Sequence, residues 1–157
     1  MTKIDPSLIK EVDLGPFKHK VDDGIDIRKA AYALIDTMIE RIPEKVNAGQ
    51  ATEVAIYGLE DSAEECMIQS LNIIHRLIQW SPIIVVGLIE PLLDSFAKQF
   101  TKNMPNVGTN DKAKNIMRSI IRVVEQLSRA QEIEGNTRFS DFFKEKIQDQ
   151  PTAREIF

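Results

Sequence analysis

The sequence predicts an all-α solenoid of about three antiparallel helix pairs, preceded by an N-terminal β-hairpin. Three observations predict it. An apolar stripe with helical spacing recurs three times along the chain, a second helical segment follows each stripe, and the front segment alternates with period 2 around Gly15-Pro16. At 157 residues the chain fits one domain.

Residues 8–21 make no stripe at period 3.6. Folded as a hairpin with Gly15 and Pro16 as the two-residue loop, they pair Leu14 with Phe17, Asp13 with Lys18, Val12 with His19, and Glu11 with Lys20. One face then carries Val12, Leu14, Phe17 and His19, and the other carries two opposite-charge pairs. Gly15 suits the positive φ at the first central position of a II′ turn, and Pro16 suits the negative φ of the second. An isolated hairpin with an apolar face is marginal in water, so it packs either on its own solenoid or on a partner.

Apolar residues at 27, 30, 31, 34, 35, 38 and 42 predict a helix over Ile27–Ile42. Asp22, Asp23 and Asp26 are its cap candidates, and Pro43 stops it. The stripe returns over Glu64–Trp80, with Met67, Leu71, Ile74 and Ile78, and over Lys112–Leu127, with Ile116, Ile120, Val124 and Leu127. Overlaying the three matches Ile27 with Cys66 and Ala113, and Leu34 with Ile73 and Ile120, at offsets of 39 and 47 residues. The second helices are Gln50–Glu60, Pro82–Phe100 with Pro91 inside it, and Phe139–Ile147, with turns at Asn47-Ala48-Gly49, Met104 to Gly108 and Gly135-Asn136. A helix pair at this period is that of HEAT-type solenoids, whose pairs bury their stripes against their neighbours. The expected division is a hairpin over 8–21, repeat one over 22–60, repeat two over 61–103 and repeat three over 109–157.

Composition narrows the function. Hydrophobic residues at 43% and charged residues at 28% exclude a disordered chain, and a net charge of -4 argues against a phosphate-backbone binder. The one cysteine, Cys66, closes no internal disulfide, no Asn-x-Ser/Thr sequon occurs, and the N-terminus lacks a signal-peptide core, so an intracellular protein is expected. The longest uncharged stretch, Leu77–Ile89, is interrupted by Pro82 and does not span a bilayer.

Catalytic chemistry is not expected. Cys66 and His75 stand nine residues apart, about 180° around one helix, and form no dyad. Cys66 aligns with core positions and reads as a buried structural thiol, while Asp94, Lys98 and Lys102 read as a solvated helix face. No metal-ligand spacing occurs. The acidic run Asp22-Asp23-Gly24-Ile25-Asp26 fails the calcium-loop pattern, since the places one, three and five residues before Gly24 hold Asp23, Val21 and His19. Neither phosphate-cradling glycine motif is present. No catalytic residue, cofactor or metal is therefore expected.

The run from Ile9 to Ala31, above all Gly15-Pro16-Phe17-Lys18-His19 followed by Val21-Asp22-Asp23-Gly24-Ile25-Asp26-Ile27-Arg28-Lys29-Ala30-Ala31, closely resembles the C-terminal region of the cullin-associated, neddylation-dissociated family. That family is also called the TATA-binding-protein-interacting protein 120 family. Ser81-Pro82 to Glu90-Pro91-Leu92-Leu93 continues the likeness more weakly, and Gln150-Pro151 to Ile156-Phe157 looks like the family's end. The resemblance implies a long HEAT superhelix around a cullin, of which this chain is the last three repeats. It implies a non-enzymatic regulator of cullin-RING ubiquitin ligases, cytoplasmic and nuclear, that binds the cullin N-terminal helical region and competes with the substrate adaptor, promoting adaptor exchange. Nucleic acid and membrane are not among the expected partners. By the same resemblance the hairpin is the competing element, which assigns partner contact to Val12, Leu14, Gly15, Pro16, Phe17, Lys18 and His19. The alternative is a general HEAT scaffold segment of a transport or transcription factor without cullin specificity. No residue here supports a contact with TATA-binding protein.

Overall fold

The computed structural model describes residues 1–14 and 17–156, with the side chains of Asp13, Leu14, Phe17, Lys18, His19, Arg154 and Ile156 left aside. Asp5 caps a single 3-10 turn, Pro6–Leu8, by accepting from the Ser7 backbone N–H. Strands β1 (Ile9–Leu14) and β2 (Phe17–Asp22) then pair antiparallel. The register sets Leu14 opposite Phe17, Asp13 opposite Lys18, Val12 opposite His19 and Glu11 opposite Lys20, as the period-2 pattern predicts, and continues to Lys10–Val21 and Ile9–Asp22. The predicted turn residues Gly15 and Pro16 lie outside the described residues.

Among the described residues eight α-helices follow: α1 (Ile25–Arg41), α2 (Ala48–Gly58), α3 (Glu64–Trp80), α4 (Pro82–Gly87), α5 (Ile89–Asn103), α6 (Asp111–Ser128), α7 (Thr137–Phe143) and α8 (Pro151–Ile156). Asn47, Asn110 and Asn136 cap α2, α6 and α7, each accepting a backbone N–H with its side chain. Gly135, at φ 78, supplies the left-handed residue before the Asn136 cap.

Ion pairs show the stacking. Lys29 with Glu65 and Asp36 with Arg76 run α1 parallel to α3, while Lys112 with Glu64 and the Gln126 amide donating to the His75 carbonyl run α6 parallel to α3. A second layer holds α2, α5 and α7, tied by Lys98 to Glu60, by Arg138 to both Glu90 and Asp94, and by an edge-to-face contact of Phe100 with Phe142 at 5.8 Å. Asp94 and Lys98 thus lie on an exposed face, as expected, and bridge neighbouring repeats. Between the layers sit Leu71, Ile73, Ile74, Leu77, Leu92, Phe96, Met117 and Ile120, none more than 1% exposed. The chain is an all-α, HEAT-like fold with a two-stranded sheet in front. Among the described residues no helix is long and apolar enough to cross a membrane.

Four expectations need correction. The long helix predicted from Pro82 to Phe100 is two, divided at Leu88. Pro91 has no N–H to give the preceding turn, so a new helix begins with Pro91 in its first turn, where no such donor is needed. The α1 stripe is only half covered: Ile27 is 48% and Leu34 60% exposed, and the buried positions are Arg28, Tyr32 and Ile39. The offsets are nonetheless right, because α1, α3 and α6 begin at 25, 64 and 111, spaced by 39 and 47. The matched positions Cys66, Ile73, Ala113 and Ile120 are buried because α3 and α6 each have a preceding long helix, whereas α1 has none among the described residues. Asp22 does not cap α1; Gly24 occupies that place without any side-chain cap. Finally, α7 ends at Phe143 and passes through a π turn, Lys144–Gln148, before α8, which periodicity did not reveal.

Candidate partner-binding hairpin

Period-2 alternation divides the hairpin into two faces. Ile9, Glu11, Lys20 and Asp22 belong to one, and Lys10, Val12 and Val21 to the other. Asp22, the last residue of β2, directs its carboxylate at the Arg28 guanidinium, with Oδ2 at 2.8 Å from Nη2 and Oδ1 at 3.2 Å from Nη1. That pins the base of the first face against α1. Away from Asp22 both faces meet solvent: Val12 is 38% and Val21 43% exposed on the second, and Ile9 is 38% exposed beside exposed Glu11 and Lys20 on the first. At the base, Lys10 pairs with Asp23 at 2.6 Å, and the Asp23 N–H donates to the Leu8 carbonyl, extending the ladder by one rung.

Of the seven predicted contact residues, the structure describes the side chain of Val12 and the strand placement of Leu14, Phe17, Lys18 and His19. Leu14 and Phe17 are directly paired in the register, and His19 opposes Val12.

Beneath the hairpin lies an arrangement that sequence reasoning missed. Arg28 is 1% exposed, and its Nε and Nη2 bind both oxygens of Asp61, at 2.7 and 3.0 Å. Asp61 sits in the turn between α2 and α3, where it also accepts the Ala63 N–H at 2.9 Å. One buried guanidinium therefore joins the hairpin base, α1 and the α2–α3 turn. The hydrogen bonds Arg28 donates to Asp61, then to Asp22, raise its pKa above the usual value, and the same bond to Asp22 lowers the pKa of that carboxyl. Gly24 leaves room for the group. A Cβ there would stand 3.1 Å from Arg28 Nη1, 3.1 Å from Asp22 Oδ1 and 3.2 Å from Leu8 Cδ1. The sequence holds one local hint: Arg28 is four residues before Tyr32, on the same helix face.

Next to this group, burial pushes the Cys66 thiol up to about 11 and the Tyr32 hydroxyl up to about 12. Cys66 is fully buried, in keeping with a structural thiol, and a thiol so hard to ionise is a poor nucleophile. Among the described residues no group of three or more His, Cys, Asp or Glu side chains is arranged to hold a metal ion.

Comparison with known proteins shows which family the chain belongs to. The chain is 30% identical over 157 residues to Cullin-associated NEDD8-dissociated protein 1 of Dictyostelium discoideum, covering 98% of this chain and 13% of that protein. Against the protein of the same name from Drosophila melanogaster it is 32% identical over 159 residues, covering 99% of this chain and 13% of the relative. It is also 30% identical over 139 residues to Cullin-associated NEDD8-dissociated protein 1, C-terminal part, of Emericella nidulans, covering 82% of this chain and 13% of that protein. The chain thus spans about an eighth of the length of these relatives, whose names describe association with cullins. The TIP120 family model, described as TATA-binding protein interacting (TIP20), matches residues 1–147, and the chain belongs to that family.

Proposed function

We propose that this chain is a non-enzymatic, cullin-binding module that regulates assembly of cullin-RING ubiquitin ligases in cytoplasm and nucleus. In this reading the hairpin competes with the substrate adaptor for the cullin N-terminal helical region and promotes adaptor exchange. The observation that carries it is the hairpin's exposed apolar face: Val12 and Val21 face solvent on a segment whose base is held rigidly to the helices. A two-stranded ribbon keeps such a face where a partner covers it. The family and the names of its members supply the partner, because each relative compared is called cullin-associated. Val12, Leu14, Gly15, Pro16, Phe17, Lys18 and His19 form the contact, with the apolar members as anchors and Lys18 at the polar rim.

The test is a titration of purified cullin N-terminal region with the intact chain and with a chain whose residues 9–22 are replaced by a short glycine-serine linker, with adaptor added as competitor. Binding by the intact chain, loss on replacement and displacement by adaptor support the proposal. Equal binding by both chains overturns the hairpin as the contact, and no binding by either favours a general scaffold segment without cullin specificity.

A further inference from the structure

Resting on the hairpin as the partner contact, we infer that Arg28, Asp22 and Asp61 form a positioning latch that sets which face of the hairpin is presented and at what angle. Side chains on a strand alternate, so the face that points at the helical body at one residue fixes the direction of every other residue. Asp22 is that residue. Its carboxylate is held by two hydrogen bonds from Arg28, and Arg28 is held in turn by two more to Asp61, whose side chain is 1% exposed. The Gly24 N–H closes the near side by donating to Asp22 Oδ1 at 2.9 Å. With Asp22 turned to Arg28, Val12 and Val21 lie on the opposite side of the ribbon, both exposed.

The chemistry suits a rigid latch better than a general stabiliser. A buried arginine flanked by two carboxylates is a weak source of net stability, since desolvation offsets much of the attraction, but its planar fork accepts few geometries. A ribbon that swings freely presents its contact face for only part of the time, and its apparent affinity drops by that fraction. Arg28 and Asp61 are therefore positioning residues, acting on the partner through Asp22.

The test uses the whole chain with nitroxide labels on Lys20→Cys in β2 and Asn72→Cys in α3, both exposed positions, and reads their distance distribution by pulsed electron resonance. Buried Cys66 stays in place. The parent should give one narrow distance. Asp22→Ala should broaden it and weaken binding of the cullin N-terminal region by about tenfold, with little change in melting temperature. Asp22→Asn, which keeps one acceptor for Arg28, should restore part of both. Gly24→Ala removes no charge but crowds the same atoms, and should broaden the distribution as well. A distribution as narrow as the parent's in both Asp22→Ala and Gly24→Ala overturns the latch. Broadening in both without any loss of affinity upholds the latch and instead overturns the hairpin as the partner contact.

Discussion

Arg28 and Asp61, 33 residues apart in the chain, meet in a buried two-point ion pair, with Nε 2.7 Å from Oδ2 and Nη2 3.0 Å from Oδ1. The pair ties α1 to the α2–α3 turn. Removing one partner of a buried pair leaves the other charge unpaired, and Arg28→Met leaves both Asp61 and Asp22 facing an apolar side chain. It should cost about 3 to 5 kcal/mol. Arg28→Lys should recover only part of this, because an ammonium cannot reproduce the planar fork. Urea unfolding of the three chains checks both statements, and equal midpoints would remove Arg28 from the forces holding the fold.

Matched positions along the solenoid should respond differently to the same change. Ile120 is fully buried between α6 and its neighbours, and Ile120→Ala should cost about 2 to 5 kcal/mol by opening a cavity. Leu34 occupies the equivalent place on α1 but is 60% exposed, so Leu34→Ala should alter stability by about 0.5 kcal/mol or less. Thermal melts of both variants decide this, and comparable losses would show that another segment covers Leu34 in solution.

Leu34 also shows how far sequence reasoning reaches. Periodicity reports which residues share a helix stripe, and it placed Leu34 in register with Ile73 and Ile120. It does not report whether a neighbour lies against that stripe, which depends on position in the stack. The hairpin was legible down to its register because the Gly15-Pro16 loop, apolar alternation and opposite charges all point to one pairing. Asp22 was misread as a cap because its partner, Arg28, makes sense only together with Asp61, and no local pattern signals that long-range contact. The break at Leu88 is marked in the sequence only by Gly87 and Pro91, within an apolar run that continues across it.

Gly58, the last residue of α2, should tolerate no side chain. A Cβ would stand 2.0 Å from Ser70 Oγ and 2.5 Å from the Tyr32 hydroxyl, both in buried residues. Either α2 moves away from α1 and α3 or Tyr32 leaves its place, and Gly58→Ala should destabilise by about 1 to 3 kcal/mol. Gly87, where an added Cβ meets nothing within 4 Å, is the matched control, and Gly87→Ala should melt close to the parent.

Alkali should weaken the fold at the same spot. Burial keeps Cys66 and Tyr32 neutral, raising the thiol from 9.0 to about 11 and the phenol from 10.0 to about 12. The unfolded chain ionises first, so these groups do not oppose folding below pH 9, and stability falls as pH rises from 9 through 12. Urea midpoints over that range check the sign. Cys66→Ala should remove the part of the slope between pH 9 and 11, and an unchanged slope would assign the alkaline loss to other groups.

The hairpin should separate binding from stability. Val12 and Val21 sit on the outward face, each more than a third exposed, and Val21 lies one residue from the latched Asp22. Replacing both with Asp removes little buried area, so the melting temperature should stay close to the parent's, within about 0.5 kcal/mol of stability. The same change places one charge at Val12, within the proposed contact, and a second at Val21 on the same face, and an unpaired desolvated charge is strongly unfavourable, so it should cost about 2 kcal/mol or more of binding. Leu14→Ala with Phe17→Ala, the last pair of the strand register, should act in the same direction by removing apolar anchors. Lys18→Glu alone should do less, since a rim charge is screened by solvent. The measurement is a titration of the cullin N-terminal region against each variant, with melts alongside and salt varied. A Val12→Asp, Val21→Asp chain that melts and binds like the parent would show that the partner uses another surface, whereas one that loses binding only because it unfolds would return the valines to internal packing.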